Sequence, residues 1–152
     1  MILLQSDELN NHLDSIIHQE TQQHDNHFDL TVDQIHQFTE GGSLDFGGSE
    51  FQPAEKRRLD PQKDNEDDDY GWWHLRKGTY QATMNETIKE FEDTIALLTP
   101  HPHAQQAGIV ANTNILSSAE EGESVTINFR VPEAGCNIKE NARFAVLYLL
   151  AS

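Results

Sequence analysis

The chain is poor in the residues that most directly declare a function. Its single cysteine, Cys136, excludes an internal disulfide and a cysteine-built zinc site, and fits a reducing compartment. Beside Gly135 it reads as a small side chain at a turn. No apolar run approaches the roughly 18 residues of a membrane helix. The opening MILLQSDELNN turns acidic, at Asp7, after a short apolar stretch, too soon for a signal peptide. These absences point to a cytoplasmic protein that engages no membrane. Cations are scarce as well: ten Lys plus Arg face 26 Asp plus Glu, a formal charge of −16. Such a surface repels nucleic-acid phosphates, so neither DNA nor RNA is an expected partner. An acidic, lysine-poor surface is also what a halophilic protein uses to stay hydrated in concentrated salt. With 36% hydrophobic residues and a mean hydropathy of −0.64, the core is lean, but 152 residues suffice for one domain spanning 1–152.

What is present reads mostly as strand. Ser6, followed by Asp7 and Glu8, has the form of a helix N-cap, and Leu9, Leu13, Ile16 and Ile17 share one helical face, predicting a short helix to about Gln19. The polar cluster 21–27 breaks it. Phe28, Leu30 and Val32 then alternate with Asp29, Thr31 and Asp33, as in a half-buried strand with Asp29 on its polar side. The segment 40–70, with paired glycines, Pro53, Pro61 and the acidic run DNEDDD, predicts a long acidic loop. Trp72, Trp73 and Tyr70 mark the return to the core rather than a base-stacking platform, because few cations surround them. Further strands are expected over 79–88, 94–99, 108–113, 125–131 and 143–150, with turns at Lys77-Gly78, at Glu92-Asp93, at the tract GluGluGly and over 132–135. Many short strands separated by turns predict a mainly β jelly-roll or β-barrel with one short N-terminal helix.

The groups that could carry chemistry are few. HPHAQQAG at 101–108 follows a buried strand, where a loop can be held against a ligand. His101 and His103 would point the same way if Pro102 were extended, and could then meet an anion or a metal. Without a carboxylate cluster beside them they are an incomplete zinc set. The run 64–69 lacks the ligand alternation and central glycine of a calcium loop, and GGSLDFGGS lacks the lysine of a triphosphate-binding loop. No Ser/His/Asp or Cys/His set stands out, and no metal site is specified.

Taken in order, SDELNNHL, HFDLTV, KGTYQATMNETI, IALLTPHPHAQQAG and IKENARFAVLYLL resemble the dUTPase and dCTP deaminase family over most of the chain, the segment 40–70 excepted. The resemblance implies a trimeric jelly-roll-like protein with nucleotide sites shared between subunits, acting on dUTP, on dCTP or on both. It implies magnesium as companion to the triphosphate where dUTP hydrolysis survives, and specifies no cofactor otherwise. It also places candidate nucleotide-binding residues at His101, His103, Gln106, Gly108, Asn112 and Thr113, and candidate catalytic groups at Asp29, His101 and His103.

Against the family's Pro-Arg-Ser-Ser-Leu-x-Arg-x-Gly loop, Pro100 and Gly108 hold the frame. His101, Pro102, His103 and Gln106 replace the arginines and serines that would grip phosphate. Ser117 stands at the dUTPase aspartate, and Asn128 at the deaminase glutamate; neither is a base near neutral pH. Three functions are therefore set out: a divergent member that binds a nucleotide or assembles without turning over, an active deaminase or diphosphatase with a rearranged site, and a β-module unrelated to nucleotides.

Overall fold

The computed structural model describes residues 1–89, 93–116 and 122–151. Its elements, in chain order, begin with β1 (Ile2–Leu3), α1 (Ser6–Asn10), β2 (Leu13–Asp14), α2 (Gln19–Gln22), β3 (Phe28–Glu40) and β4 (Glu55–Leu59). They continue with β5 (Trp72–Leu75), β6 (Gly78–Ile88), β7 (Thr94–Pro100), α3 (Pro102–Gln106), β8 (Val110–Ala111) and β9 (Asn114–Leu116). The chain ends in β10 (Glu123–Val131), β11 (Cys136–Lys139) and β12 (Arg143–Ala151). The protein is mainly β, and its principal sheet curls in the order β8-β10-β6-β3-β12-β7-β9, with β1 on β12, β2 on β6 and β4 on β3; β11 and β5 pair separately.

The curl depends on β3 changing partners. Phe28, Leu30 and Thr31 pair with β12, whereas Val32 and Gln34 to Gln37 pair with β6, with a register shift between Val32 and Gln34. Such a shift bends a strand and increases its twist. At the switch the Thr31 amide donates to Glu86 Oε1 at 2.7 Å, and the Thr31 hydroxyl donates to Glu86 Oε2 at 2.6 Å. Gln22 Nε2 donates to the same carboxylate at 2.8 Å. Asn85 Nδ2 reaches Thr31 Oγ1 at 3.0 Å and Asn141 Oδ1 at 2.9 Å.

Strict alternation on β6 directs Tyr80, Ala82, Met84, Glu86 and Ile88 inward, so one acid lies on an otherwise apolar buried row, fully shielded from solvent. Around it the core is filled by Phe28, Leu30, Leu98, Phe129, Phe144 and Leu147, with Phe129 against Tyr80 at 5.5 Å and against Phe144 at 4.9 Å between ring centroids. Aromatic pairs at such separations add to the area they bury.

Several sequence expectations are corrected. The first helix stops at Asn10, because Leu13 and Asp14 are captured as β2 against Ile88 and Thr87. Ser15 then turns the chain with φ 64. A second short helix, α2, follows where only a polar break was expected. The segment 40–70 is not one long loop. β3 runs on to Glu40 and pairs with β4, and bridges join Ser43 to Gln52 and Gln62 to Trp72. Glu55 to Arg58 have no apolar alternation, so this strand is made by pairing to an edge and carries no sequence signal of its own. The expected strand 108–113 reduces to β8. Trp73 is buried with its indole N–H donating to Leu59 O at 3.0 Å, whereas Trp72 is only half-buried. The turn expected at Glu92 and Ser117 lie outside the described residues. Among the described residues no helix is long and apolar enough to cross a membrane.

Two predictions follow from this framework. Glu86→Ala leaves the Thr31 amide and hydroxyl and the Gln22 amide without their acceptor, and should cost about 3 kcal/mol of unfolding free energy; urea titration at neutral pH measures it. His36 lies between Arg58 on β4 and Gln81 on β6, and its Nδ1 is buried with no hydrogen-bond partner among the described residues. Burial first, then Lys56 and Arg58, holds its pKa below the ordinary 6.5. The folded state therefore binds fewer protons than the unfolded chain as pH falls through 6.5 toward the folded value, and stability is lost over that window. Protection factors of the β4 amides, corrected for the intrinsic pH dependence of exchange, should fall as pH is lowered from neutral through 6.5, and His36→Gln should flatten that dependence.

Candidate functional site

The strongest constellation of ionisable groups gathers on Asp29. The sequence puts this residue on the polar side of β3, but the structure buries both faces of β3 here. The α2 segment and the end of β7 cover the second face, and Asp29 is 2% exposed. One oxygen, Oδ2, meets three cationic or protonatable groups: His24 Nε2 at 3.1 Å, Arg143 Nη1 at 3.3 Å and His101 Nε2 at 3.4 Å. They arrive from separate places: His24 from the loop before β3, Arg143 from the start of β12, and His101 from the end of β7. The register sets Asp29 opposite Val146 on β12, and β12 also pairs with β7, so all the contributing strands are neighbours. Gln22 fastens the covering segment: its Nε2 donates to Asp29 O at 2.9 Å, and its Oε1 accepts from the His18 amide at 2.8 Å.

His101 and His103 do not act as a pair. Pro102 opens α3 instead of extending, because its fixed φ suits the first helical position. His101 becomes the N-cap, with Nδ1 accepting from the His103 amide at 2.9 Å, and its ring turns inward to 6% exposure. An Nδ1 that accepts leaves the ring proton on Nε2, which faces Asp29. Burial, outweighing Asp29, holds its pKa below 6.5, with His103 and Arg143 adding to the depression. His103 is exposed, its ring edge-on to His101 at 4.7 Å.

The remaining sequence candidates lie elsewhere on the surface. Gln106, Asn112 and Thr113 are exposed, and Gly108 has φ +96, a left-handed conformation that keeps glycine at the end of the α3 turn. Asn128 stands exposed on β10 opposite Gln81, which donates to Asn128 Oδ1 at 3.1 Å and itself accepts from Lys56. It is not among the hydrogen-bond or ion-pair partners of Asp29. A small pocket of about 210 Å³ opens beside His103 and Arg143, walled in part by Trp72, Ile109 and Phe144.

Sequence reasoning passed over four participants: Glu86, Arg143, His24 and His27. Glu86 was legible as an acid on the buried parity of β6. The two histidines lay in a tract read only as a helix break, although His24, His27 and Asp29 follow one another at short spacing. His24 and His27 stack at 4.5 Å with an interplanar angle of 17°, and His27 lies 5.3 Å from the Tyr148 ring. Burial first, then His24, holds the His27 pKa below 6.5. His27 Nδ1 meets Asn26 Oδ1 at 2.8 Å.

No family model matches the chain. Two curated archaeal proteins, each described as a probable deoxyuridine 5′-triphosphate nucleotidohydrolase, are similar along most of it. That of Methanosarcina acetivorans is 29% identical over 135 residues, covering 89% of this chain and 75% of the relative. That of Archaeoglobus fulgidus is 28% identical over 131 residues, covering 86% and 73%. Among solved structures, the 2′-deoxycytidine 5′-triphosphate deaminase of Agrobacterium tumefaciens superposes with a TM-score of 0.68 at 9% identity, over 99% of this chain. The chain spans about half of that deaminase, 48%. Relatives aligned along most of the chain and a shared curled β fold agree with the resemblance read from the sequence, and together they support a dUTPase/dCTP deaminase-like family member.

Proposed function

We propose that this chain belongs to deoxynucleotide metabolism as a divergent family member, one that binds a deoxynucleotide or assembles with like subunits without turning dUTP or dCTP over. The observation that carries this reading is the engagement of His101. Both of its ring nitrogens are used inside the fold, Nδ1 by the His103 amide and Nε2 by Asp29. A general base needs a free nitrogen within reach of the substrate proton. Asp29 is likewise occupied by three partners and closed to solvent. At the position where the resemblance sets the deaminase glutamate, Asn128 offers an amide that cannot shuttle a proton.

Binding is supported by the pocket beside Arg143 and His103. Its 210 Å³ suits one ring of a ligand better than a whole triphosphate, and Trp72 and Phe144 give it aromatic walls. Arg143 retains about a third of its side-chain exposure and supplies a cation at the mouth. With the loop arginines and serines replaced, affinity for triphosphate should be weak, in the range of about 0.1–1 mM. Magnesium would accompany the triphosphate. Assembly as a homotrimer, with the chain as one domain, follows from the family reading.

The test incubates the protein with dUTP and with dCTP in magnesium and high salt, and measures pyrophosphate and ammonia. Neither should rise above a blank, while Trp fluorescence should report saturable deoxynucleotide binding that Arg143→Met weakens. Turnover well above the blank, lost in a folded Asp29→Asn variant, would reverse the reading. Light scattering should give three chains per particle, and a monomer at every salt concentration would remove the trimer.

A further inference from the structure

We propose that His24, His27 and Asp29 bind one divalent transition-metal ion, zinc being the ion their donors suit best. One ligand atom from each of the three lies within 4.8 Å of the others. His24 Nε2 and Asp29 Oδ2, at 3.1 Å, already stand near the roughly 3.3 Å that separates two ligands of a tetrahedral zinc. Two imidazoles and one carboxylate, with a fourth position left to water or an anion, form a donor set that zinc accepts; calcium and magnesium prefer all-oxygen shells.

The surroundings are those of a built site. His27 Nδ1 has Asn26 Oδ1 as its partner at 2.8 Å, which assigns the ring proton to Nδ1 and leaves Nε2 with a lone pair. Asp29 is oriented by Arg143 and by the proton on His101 Nε2, the outer hydrogen bonding that metal-bound carboxylates usually carry. His101 is itself no ligand, because its Nδ1 is committed to the His103 amide. A groove of about 560 Å³, bordered by Gln19, Gln23, His24 and Asp25, brings solvent to the His24 side of the cluster. The His24 and His27 rings, stacked in this structure, must splay so that both lone pairs meet the ion. Both are partly exposed, and neither belongs to the buried apolar core.

The ion would clamp the loop before β3 onto the strand that carries the switch at Thr31. This inference stands apart from the nucleotide reading: metal binding without turnover leaves both in place, and loss of one does not remove the other.

Protein stripped with a chelator should take up one zinc per chain in competition with a chromophoric chelator. His24→Ala and His27→Ala should each weaken that affinity by at least about 100-fold. His74→Ala, on an exposed histidine of β5, should leave it unchanged. Cobalt in place of zinc should give the intense visible bands of a four-coordinate site, absent in the double variant. Zinc should also raise the Tm of the native protein and not that of the double variant, with circular dichroism confirming that the variants fold; His27→Gln serves where His27→Ala does not. Equal zinc affinity in native protein and double variant, or uptake that tracks His74 instead, would overturn the proposal.

Discussion

The fold turns on a carboxylate that a core of this kind would ordinarily exclude. β3 cannot stay in register with β12 and β6 at once, and Thr31 is the residue at which it passes from one to the other. There its amide faces neither ladder. Glu86 accepts that amide, the hydroxyl of the same residue and the side chain of Gln22, so one buried acid answers three donors. A buried polar group is tolerated when its partners are complete, and is costly when they are not. The same three bonds also tie α2, β3 and β6 together, so the sheet's curl and the lid over Asp29 share one fastening.

That fastening explains why Asp29 differs from an ordinary strand carboxylate. It lies two residues before Thr31, on the same face of β3, and Gln22 bonds Glu86 and the Asp29 carbonyl with one nitrogen. Once Gln22 holds the covering segment down, the Asp29 carboxylate is closed from water. It must then find its partners within the protein, which the loop, β7 and β12 each supply.

Alternation made β3, β6 and β10 readable, and short apolar runs marked β7 and β12. β4 was not readable: Glu55, Lys56, Arg57 and Arg58 acquire strand form only by lying against the tail of β3. The first helix was overextended because Leu9, Leu13, Ile16 and Ile17 fit a helical face, while Leu13 gains more by pairing beside Ile88. Asp29 and His101 were picked out from sequence, but not their mutual contact, which depends on three strands lying side by side. Alternation also says nothing about a second layer, so Asp29 was placed on the polar side of the strand when α2 covers it.

The histidine at position 101 and the burial of Asp29 are coupled. An arginine there would carry its charge at every accessible pH and extend five donors, of which a closed site beside Arg143 could satisfy few. A histidine can be neutral, and burial holds it so at neutral pH. It then needs one donor and one acceptor, and finds both in the His103 amide and the Asp29 carboxylate. The loop after β7 is drawn inward at its first residue. That inward turn fixes α3 and leaves His103 and Arg143 facing the pocket, beside Asn137 and Lys139.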